Sequence, residues 1–256
     1  MEISLAGRRA FVTAGGAGMG RATVLAMLEA GATVFTCDID EAAMADLPAE
    51  VTRWRCDVSS SAELDTIFDE ILPGGLDIMV NNAGIAGPTK LVEEVTDDEW
   101  RRTLGVCLDS QFYCVRRVAP VFKSQQAGVI INVISSAGIL GYPTRSPYAA
   151  AKWASTGLTK TWAMELGPDN IRVNGIVPGN VNGDRMDRVV NAHSKTTGQS
   201  EDEVRRQYGL GVSMQCWVDN EEIADVIVFL CSDQARHISG QILGVDGHTE
   251  TLWPRS

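Results

Sequence analysis

No part of the 256-residue sequence is apolar over the roughly 20 residues that a membrane-spanning helix needs. The pattern of a signal peptide is also missing, because only a few apolar residues lie between Glu2 and the Arg8-Arg9 pair. We therefore expect neither an integral membrane protein nor a secreted one.

Metal-ligand patterns are missing as well. The three histidines, His193, His237 and His248, are scattered, and the six cysteines show no CxxC or comparable spacing. These cysteines are Cys37, Cys56, Cys107, Cys114, Cys216 and Cys231. We expect no metal site, and we expect the cysteines to be reduced and mostly buried in a cytoplasmic protein.

Basic residues are in deficit. The chain has 22 Lys and Arg against 33 Asp and Glu, a formal net charge of −11, which disfavours a nucleic-acid backbone or an anionic membrane as partner. Hydrophobic residues make up 45% and charged residues 21%, which is ordinary for a globular protein long enough to bury its own core. The composition therefore directs attention to small-molecule chemistry.

The sequence does contain a regular alternation of β-rich runs and helical stretches. The predicted strands are 9–13, 32–37, 51–56, 77–80, 128–134, 171–177 and 241–245. Helices are predicted from the first glycine-rich turn to about residue 30, and over 64–72, 147–166 and 220–231. Repeated β-α-β units predict an α/β fold with a doubly wound parallel sheet and helices on both faces. No linker or internal repeat divides the chain, so we predict a single domain over residues 1–256.

Two further segments carry local signals. Thr96, with Glu99 three residues later, has the pattern of a capping box, which predicts the start of a long helix towards Phe122. The segment 180–211 is polar and charged, and it interrupts the alternation between the sixth strand and the next helix. A long connection of this kind is typical of a functional lid, so we predict a substrate lid there.

A glycine-rich turn follows the first predicted strand. Residues 13–20, Thr-Ala-Gly-Gly-Ala-Gly-Met-Gly, lead directly into a helix, where glycines let a pyrophosphate approach the backbone and the helix N-terminus favours its charge. The second strand ends at Asp38, whose carboxylate can accept both ribose hydroxyls of an adenosine and would repel a 2′-phosphate. No Arg or Lys stands at 37–40, so the pattern predicts NAD(H) rather than NADP(H). The alternative is that Asp38 caps a helix that begins near Asp40.

A tyrosine and a lysine stand four residues apart in the run Ser-Pro-Tyr-Ala-Ala-Ala-Lys. On a helix, Tyr148 and Lys152 share one face, and the ammonium favours the phenolate of a tyrosine whose ordinary pKa is about 10. Ser135, upstream, supplies a hydroxyl that can hold an alcohol or carbonyl oxygen beside the tyrosine. The three residues together predict proton transfer in an alcohol/ketone pair, although the Tyr-Lys spacing alone is more often a plain helix surface.

With these residues in place, the chain resembles the short-chain dehydrogenase/reductase family over nearly its whole length. The matching motifs are the loop at 13–20, Cys56-Asp57-Val58, Asn81-Asn82-Ala83-Gly84, Ser135 with Tyr148 and Lys152, Pro178-Gly179, and Ser239-Gly240-Gln241 with Val245-Asp246-Gly247. The resemblance implies a Rossmann-type fold and an NAD-dependent oxidoreductase that acts on the CH–OH group of a secondary alcohol or on its ketone. It also implies a homo-oligomer, usually a tetramer built through the two long helices and the C-terminal strand.

The resemblance assigns Ser135, Tyr148 and Lys152 to catalysis, with Tyr148 as general base or acid. It selects Ser135 over Ser136, because the family's serine stands three residues before the glycine that corresponds to Gly138. Together with the residue pattern, it assigns to the cofactor Thr13, Gly15, Gly18, Met19, Gly20, Asp38, Asp57, Val58, Asn82, Ala83, Gly84, Tyr148, Lys152, Pro178, Gly179 and Val181.

Two positions depart from the family pattern. Cys107 stands where the family usually has an asparagine that is credited with holding a proton-relaying water. A thiol cannot copy the paired hydrogen bonds of an amide, so either Ser110 or backbone carbonyls hold that water, or the relay is weakened. Cys107 could alternatively be a reactive thiol, a buried structural role being the commoner case. Gly183 stands where a threonine commonly contacts the nicotinamide amide or the phosphates.

Substrate contacts are predicted between the serine and the tyrosine and in the lid. Besides Ser135, the candidates are Tyr142, Arg145 and Arg185, and a basic residue there could select an anionic or polyhydroxylated substrate. Sugars or polyols, hydroxy acids, hydroxysteroids and simple secondary alcohols all stay open as substrate classes.

The lid's charged residues have a second interpretation. A solvated helix face with ion pairs four residues apart is the commoner arrangement. The sequence offers Glu201 with Arg205 and Asp202 with Arg206 for such pairs.

The C-terminal residues include Leu252, Trp253 and Pro254, an apolar group that is unusual at a free surface. A subunit contact and packing on the same chain both explain it.

Two rival functions use the same fold. The first is a catalytically idle, nucleotide-sensing or scaffolding protein, for which Cys107 is the one positive sign and against which the intact Ser135, Tyr148 and Lys152 argue. The second is a lyase-type relative without a redox cofactor, against which the glycine loop and the retained lysine argue.

Overall fold

The computed structural model describes residues 3–252, apart from the side chain of Thr196. Its strands are β1 Arg9–Thr13, β2 Thr33–Asp38, β3 Thr52–Arg55, β4 Ile78–Asn81, β5 Gly128–Val133, β6 Ile171–Pro178 and β7 Ile242–Val245. They form one sheet in the order β3-β2-β1-β4-β5-β6-β7, and every neighbouring pair is parallel. The predicted doubly wound parallel sheet is confirmed.

The helices that cover the sheet lie between these strands. They are α1 Gly18–Glu29, α2 Ser61–Ile71, α3 Asp97–Leu104, α4 Ser110–Gln125, α5 Ser146–Leu166, α6 Asp184–Thr197, α7 Glu201–Leu210 and α8 Asn220–Cys231. A π-helical turn, Gly105–Asp109, joins α3 to α4. No helix in the range 3–252 is both long enough and apolar enough to cross a membrane.

Alternating side chains of the strands supply two cores, one on each face of the sheet. Ala10 and Val12 of β1 belong to the core under α1 and α8, whereas Phe11 belongs to the core under α2, α4 and α5. Phe68 of α2 packs on Phe11 with ring centroids 5.3 Å apart. Burial of such a side chain contributes about 1.5–3 kcal/mol, so both helix layers are held by the apolar periodicity that the sequence shows.

The strand order reverses between β1 and β4. From β1 the chain builds outward to β3, and it then crosses back to β4 and builds outward to β7. In open α/β sheets a ligand binds in the crevice at the carboxyl ends of the strands, where the order reverses. The crevice here lies between Thr13, at the end of β1, and Asn81, at the end of β4.

Two expected segments differ from the prediction. The capping box is confirmed, since the Thr96 hydroxyl accepts from the N–H of Glu99 at 3.2 Å and the Glu99 carboxylate accepts from the N–H of Thr96 at 2.9 Å. The long helix that follows is present and runs without a gap to Gln125, but it contains the π turn, which the sequence pattern does not show. The polar segment 180–211 is not an irregular connection either, since it contains α6 and α7.

The cysteines are free thiols, as expected. Five of them are buried, and Cys216 is half-buried. Among residues 3–252, no group of three or more His, Cys, Asp or Glu side chains is arranged to hold a metal ion.

Candidate active site

Side-chain hydrogen bonds join the carboxyl ends of β1 and β4. The hydroxyl oxygen of Thr13 accepts from the backbone N–H groups of Asn82 and Ala83, each at 3.0 Å. The Asn82 amide nitrogen donates to the carbonyl oxygens of Thr13 and Ala14, at 2.9 and 3.1 Å. The start of the glycine loop and the turn after β4 are therefore tied to each other at the crevice.

Glycine is required in the loop between β1 and α1 for two different reasons. A Cβ on Gly15 would lie 2.0 Å from Oγ1 of Thr36, and a Cβ on Gly20 would lie 2.0 Å from a backbone carbonyl oxygen. Gly18 has a φ of +53°, in the left-handed region that favours glycine. The helix α1 starts behind Ala17, which makes no side-chain cap.

Backbone N–H groups at a helix start that no side chain caps are a ready site for a phosphate. The first turn of α1 contains no acidic residue, and Met19 in that turn is partly buried against the core. The loop therefore fits the pyrophosphate of a dinucleotide.

Asp38, at the end of β2, is held beside the glycine loop. Its Oδ2 accepts from the N–H of Gly16 at 3.0 Å, and its Oδ1 accepts from the N–H of Asp40 at 3.0 Å. The short 3-10 turn Ala42–Met44 that follows is capped by the Asp40 side chain, which accepts from the N–H of Ala42 at 3.0 Å. Asp38 therefore bonds the N–H of Asp40 just before this turn as well as the N–H of Gly16 in the glycine loop, so its two oxygens serve both alternatives.

Asp57 is already engaged by its neighbours. Its carboxylate accepts from the N–H and hydroxyl of Ser59, at 3.0 and 2.7 Å, and from Nη1 of Arg102 at 2.8 Å. Burial raises the pKa of Asp57, but the hydrogen bonds from Ser59 and Arg102 outweigh it and leave the pKa below its usual range. Val58 next to it is buried, so in this turn an ionised carboxylate lies beside an apolar side chain.

Tyr148 and Lys152 lie one turn apart on the buried face of α5. Tyr148 is 7% exposed and Lys152 is 2% exposed. The Lys152 ammonium nitrogen donates to the carbonyl oxygen of Val133 at 2.7 Å and lies 5.8 Å from the ring centroid of Tyr148. A Cβ on Gly138 would lie 2.7 Å from the carbonyl oxygen of Lys152, so the glycine lets the turn after β5 approach the helix.

Only one of the two neighbouring serines faces the tyrosine. Ser135 is the serine whose hydroxyl lowers the pKa of Tyr148, and that hydroxyl also accepts from the N–H of Ala137 at 3.2 Å. The hydroxyl of Ser136 instead donates to the carbonyl oxygen of Pro178 at 3.1 Å. The spacing argument that selects Ser135 therefore agrees with the geometry.

The surroundings of Tyr148 favour its phenolate. Burial raises the pKa of Tyr148, but the positive charges of Arg185 and Lys152 and the hydrogen bond with Ser135 outweigh it, so the pKa is lowered. The guanidinium carbon of Arg185 lies 5.4 Å from the ring centroid, and that of Arg145 lies 5.5 Å away. A tyrosine in this environment is a better proton acceptor near neutral pH than a free one.

Cys107 lies in the π turn and is fully buried. Its thiol accepts from the N–H of Ile85 at 3.3 Å and donates to the carbonyl oxygen of the same residue at 3.4 Å. Both hydrogen-bonding capacities of the sulfur are thus used on the backbone of Ile85, which is the buried structural role named as the commoner case. Ser110 donates its hydroxyl to the carbonyl oxygen of Val106 at 2.7 Å.

The turn after β6 is shaped by close packing. A Cβ on Gly179 would lie 2.6 Å from Cβ of Asp246, and Val181 bridges to Val218. Gly183 has a φ of +131°, a conformation that a threonine rarely adopts. The departure from the family pattern at this position is thus explained by the backbone.

A cavity of about 360 Å³ opens beside Tyr148. The turn after β4 contributes Gly84, Ile85 and Ala86, and Arg145, Arg185 and Arg188 line the cavity together with small apolar side chains and Thr89. Lys152 Nζ lies 3.6 Å from where a Cβ on Gly84 would stand, which places the cavity next to the ammonium.

Of the predicted substrate residues, two line this cavity and two do not. Arg145 and Arg185 are lining residues, while Ser135 lies at the tyrosine instead. Tyr142 is outside the lining, and the guanidinium carbon of Arg145 lies 5.2 Å from the centroid of its ring. Burial, with the influence of Tyr142, raises the pKa of Tyr208.

The ion pairs expected within α7 do not form. Arg205 pairs with Asp187 of α6, and Arg206 pairs with Glu203 at 4.0 Å. The apolar contacts of Val190 with Val204 and Tyr208 hold α6 against α7.

Arg188, one of the basic residues that the lid segment is expected to bring over the pocket, does line the cavity. Other residues of the site escape the sequence analysis, since Gly16 holds Asp38, and Ser59 and Arg102 hold Asp57. Ser59 carries a local signal, its Asx-type spacing after Asp57. Arg102 reaches Asp57 across 45 positions of sequence, so no local pattern shows it.

Comparison with known proteins identifies the class. The family model described as enoyl-(acyl carrier protein) reductase matches residues 13–248. A 3-oxoacyl-[acyl-carrier-protein] reductase, FabG, of Thermotoga maritima is 32% identical over 254 residues, which cover 96% of this chain and 98% of that protein. A trans-4-hydroxycyclohexanecarboxylate dehydrogenase of Sinomonas cyclohexanicum is 40% identical over 174 residues, which cover 68% of this chain and 60% of that protein.

A solved structure gives the same result. The crystal structure of an NAD⁺-bound xylitol dehydrogenase has a TM-score of 0.89 and 30% sequence identity, covering 94% of this chain and 98% of the other. The parallel sheet with its glycine loop and buried Tyr-Lys pair defines a dinucleotide-binding oxidoreductase. The chain belongs to the short-chain dehydrogenase/reductase family. The predicted family and the oxidoreductase class are confirmed, and nothing in these comparisons supports the idle alternative.

Proposed function

We propose that the protein interconverts a secondary alcohol and its ketone with NAD(H), and that Tyr148 transfers the proton. The observation that carries this proposal is the buried phenol of Tyr148, whose pKa is lowered against the effect of burial by Arg185, Lys152 and Ser135. A phenolate stabilised inside a crevice is suited to accept an alcohol proton.

The residues along the crevice would hold the dinucleotide. The glycine loop with Thr13 and the start of α1 would take the pyrophosphate, and Asp38 would accept the adenosine ribose hydroxyls. Asp57 and Val58 would border the adenine, and Lys152 with the Asn82–Gly84 turn and the 178–181 segment would border the nicotinamide riboside. When bound, the nicotinamide supplies the hydride acceptor or donor.

The chain's own side chains perform the proton chemistry. In the oxidative direction the Tyr148 phenolate accepts the proton of the substrate hydroxyl, and in the reductive direction the phenol returns it. The Ser135 hydroxyl orients the substrate oxygen and donates a hydrogen bond to it as charge develops. Lys152 keeps its ammonium charge within 5.8 Å of the tyrosine ring centroid and so stabilises the phenolate.

Asp38 favours NAD(H) over NADP(H). A 2′-phosphate would meet this carboxylate, and like charges brought together cost several kcal/mol. We expect kcat/KM for NAD⁺ to exceed that for NADP⁺ by about 100-fold, and the ratio to fall by about tenfold or more in Asp38→Asn. Initial rates with a panel of secondary alcohols and each cofactor measure it.

Asp40→Asn is the matched control for this experiment, because it removes a neighbouring carboxylate that caps the 3-10 turn. It should leave the cofactor ratio unchanged. Equal use of both cofactors by the unchanged protein would contradict the role of Asp38, while absence of turnover on every alcohol would contradict the proposed reaction.

We further propose that residues 1–256 form one NAD-binding domain and that α6 and α7 act as its lid. Arg185 on α6 lies over the Tyr148 ring, and Val204 and Tyr208 of α7 pack on Val190 of α6, so α7 supports the helix that reaches the site. Proteolytic cleavage within 184–210 should slow when NADH and substrate are present. Cleavage at an unchanged rate would contradict the lid.

A homo-oligomer, by the resemblance a tetramer, fits the exposed apolar residues of the two long helices. Phe112 of α4 is 50% exposed, and Trp153 and Met164 of α5 are 50% and 80% exposed. Light scattering should give a multiple of the 27.6 kDa chain mass, and the mass of a single chain would contradict it. We place the protein in the cytoplasm because its cysteines are free thiols, which cell fractionation would check.

The names of the relatives given above all indicate alcohol/ketone chemistry, but the substrates that they name differ in the groups around the reacting carbon. They include a 3-oxoacyl-[acyl-carrier-protein] reductase, a trans-4-hydroxycyclohexanecarboxylate dehydrogenase and a xylitol dehydrogenase. The substrate class must therefore come from this chain's own cavity.

A further inference from the structure

Three arginines line the cavity beside Tyr148, and no acidic residue does. Arg145 is 4% exposed, so its charge is almost completely removed from water. Arg185 and Arg188 stand on the exposed start of α6 and enclose the cavity from the lid side. A cluster of three positive charges in a chain of net charge −11 is a local feature that the composition does not predict.

Among residues 3–252, the buried guanidinium of Arg145 has no counter-ion. Its Nη2 donates to the carbonyl oxygen of Ala86, while its Nε, also buried, has no hydrogen-bond partner. A buried charge without a partner is unfavourable, and burial of a cation is ordinarily accompanied by a carboxylate or another anion.

The two lid arginines are unpaired as well, although acidic residues are close in sequence. Asp184 stands four residues before Arg188 but makes no ion pair with it, and Asp187 pairs with Arg205 instead. Outside the cavity, Arg205 and Arg206 both have carboxylate partners. Within the described part of the lid, Arg185 and Arg188, which line the cavity, are the arginines that have no carboxylate partner.

We propose that this cavity binds a carboxylate group of the substrate, so that the protein acts on a hydroxy acid and the corresponding keto acid. The proposal rests on the proposed alcohol/ketone reaction and names the substrate class for it. Arg145 and Arg188 hold the carboxylate, while the carbinol carbon lies at Tyr148 and Ser135. Guanidinium groups match the planar geometry of a carboxylate with paired hydrogen bonds.

The remaining lining suits the hydrocarbon part of such a substrate. Ile85 and Val189 provide apolar wall, and about 360 Å³ is the volume of a site for a small organic molecule. Arg185 and Arg145 lie equally near the Tyr148 ring, but it is the charge of Arg185 that lowers the pKa of the phenol, which leaves Arg145 to bind the carboxylate. In the proposed complex, the carboxylate of the substrate therefore binds at the arginines, and its reacting oxygen lies apart from it, at Tyr148.

The first arm of the test measures binding without chemistry. Isothermal titration calorimetry of the NADH-loaded protein compares cyclohexanecarboxylate with cyclohexanecarboxamide, which has the same shape and no charge. The carboxylate should bind at least about tenfold more tightly. Arg188→Gln and Arg145→Gln should each weaken carboxylate binding by about 10- to 100-fold and leave amide binding unchanged.

Matched control variants distinguish a specific loss of carboxylate binding from a general effect of removing a charge or of misfolding. Arg206→Gln removes the same charge from the lid outside the cavity and should leave both affinities unchanged. Arg188 is exposed, so Arg188→Gln is expected to fold even if the buried Arg145 variant does not. Equal binding of the two compounds, or equal losses for both in Arg188→Gln, would overturn the proposal. A weaker affinity for NADH in the arginine variants, with carboxylate binding retained, would instead assign the cluster to the cofactor and also overturn it.

The second arm separates this proposal from the proposed reaction. Initial rates are measured with 4-hydroxycyclohexanecarboxylate and with its amide, in the unchanged protein and in Arg188→Gln. The expected result is a KM for the acid that rises about 10- to 100-fold in the variant, with the KM for the amide unchanged. Arginine-dependent carboxylate binding without any turnover would defeat the reaction but support the cavity's assignment. Turnover of both compounds with equal KM values would defeat the assignment and leave the reaction intact.

Discussion

Three cations surround the phenol ring of Tyr148. Lys152, Arg145 and Arg185 place their charged atoms 5.8, 5.5 and 5.4 Å from the ring centroid. The lysine follows from a short sequence pattern, whereas Arg185 reaches the ring from α6. The pKa of Tyr148 is therefore set by the lid as well as by the helix that carries the tyrosine.

Arg185→Gln should raise the pKa of Tyr148, because burial is then opposed by Lys152 and Ser135 with one positive charge fewer. The phenolate is the base in alcohol oxidation, so activity rises as pH increases through this pKa. The rising limb of kcat/KM against pH should move to higher pH in the variant. A neutral secondary alcohol is the substrate for this profile, so that no carboxylate contact contributes.

Arg206→Gln is the control, since it removes an arginine of the same lid that is paired with Glu203. Its pH profile should superimpose on that of the unchanged protein. An Arg185→Gln profile that also superimposes would show that Arg185 does not contribute to the tyrosine's pKa.

At the residue scale, the sequence predicts site residues that belong to short motifs, but it does not predict contacts between residues that are far apart in the chain. Tyr148 with Lys152, Asp38 and the loop glycines come from short patterns whose geometry the backbone determines. The unpaired state of Arg145 cannot be predicted, because ion pairing depends on which carboxylates the fold brings near. The lid illustrates this, since Arg205 bonds Asp187 rather than the Glu201 that the helical spacing suggests.

At the scale of elements, the loop between β1 and α1 contains a strained residue. Ala14 has a φ of +56°, where a residue with a Cβ is disfavoured by about 1–2 kcal/mol. The resemblance shows a glycine at this position in the family. The loop therefore keeps its backbone conformation although Ala14 has to adopt left-handed dihedral angles that disfavour a Cβ atom.

Ala14→Gly should stabilise the protein by about 0.5–1 kcal/mol, because relief of the left-handed strain exceeds the added flexibility of the unfolded chain. For a chain of this size the unfolding midpoint should rise by about 1–3 °C. Thermal unfolding without cofactor measures this.

Gly18→Ala is the opposing control. Its φ is +53°, and the nearest side-chain atom to the new Cβ would lie 3.7 Å away, so strain rather than a clash is tested. It should lower the stability by about 1 kcal/mol or more. An unchanged or lower midpoint for Ala14→Gly would show that the methyl group's packing outweighs the backbone strain.

The π turn and the lid helices are the elements that the sequence does not predict. The spacing of apolar residues indicates which side of a helix is buried, but it does not reveal the one additional residue that makes a π turn. That insertion brings the Cys107 thiol to both backbone groups of Ile85, a residue of the cavity wall. In α6 and α7 the buried stripe is narrow, so the polar composition obscures the helical period.

At the scale of the whole molecule, the alternation of strands and helices predicts the sheet and its parallel direction. All seven observed strands start and end within one residue of the predicted limits, because buried β-branched runs leave little freedom. The crevice then follows from topology, since the order β3-β2-β1-β4 places the ends of β1 and β4 side by side. The lid's contacts with α5 and its neighbouring turn are tertiary and need the structure.

The central claim is that Tyr148 transfers the substrate proton in an intact dinucleotide site. The most direct test is Tyr148→Phe, with turnover measured on the best alcohol of the panel and NADH binding measured by fluorescence. Tyr113→Phe, which removes a phenol hydroxyl on α4, is the control and should keep full activity. We predict that Tyr148→Phe loses about 100- to 10,000-fold in kcat while NADH affinity stays nearly unchanged. A variant that binds NADH and retains more than about a tenth of the activity would contradict the claim.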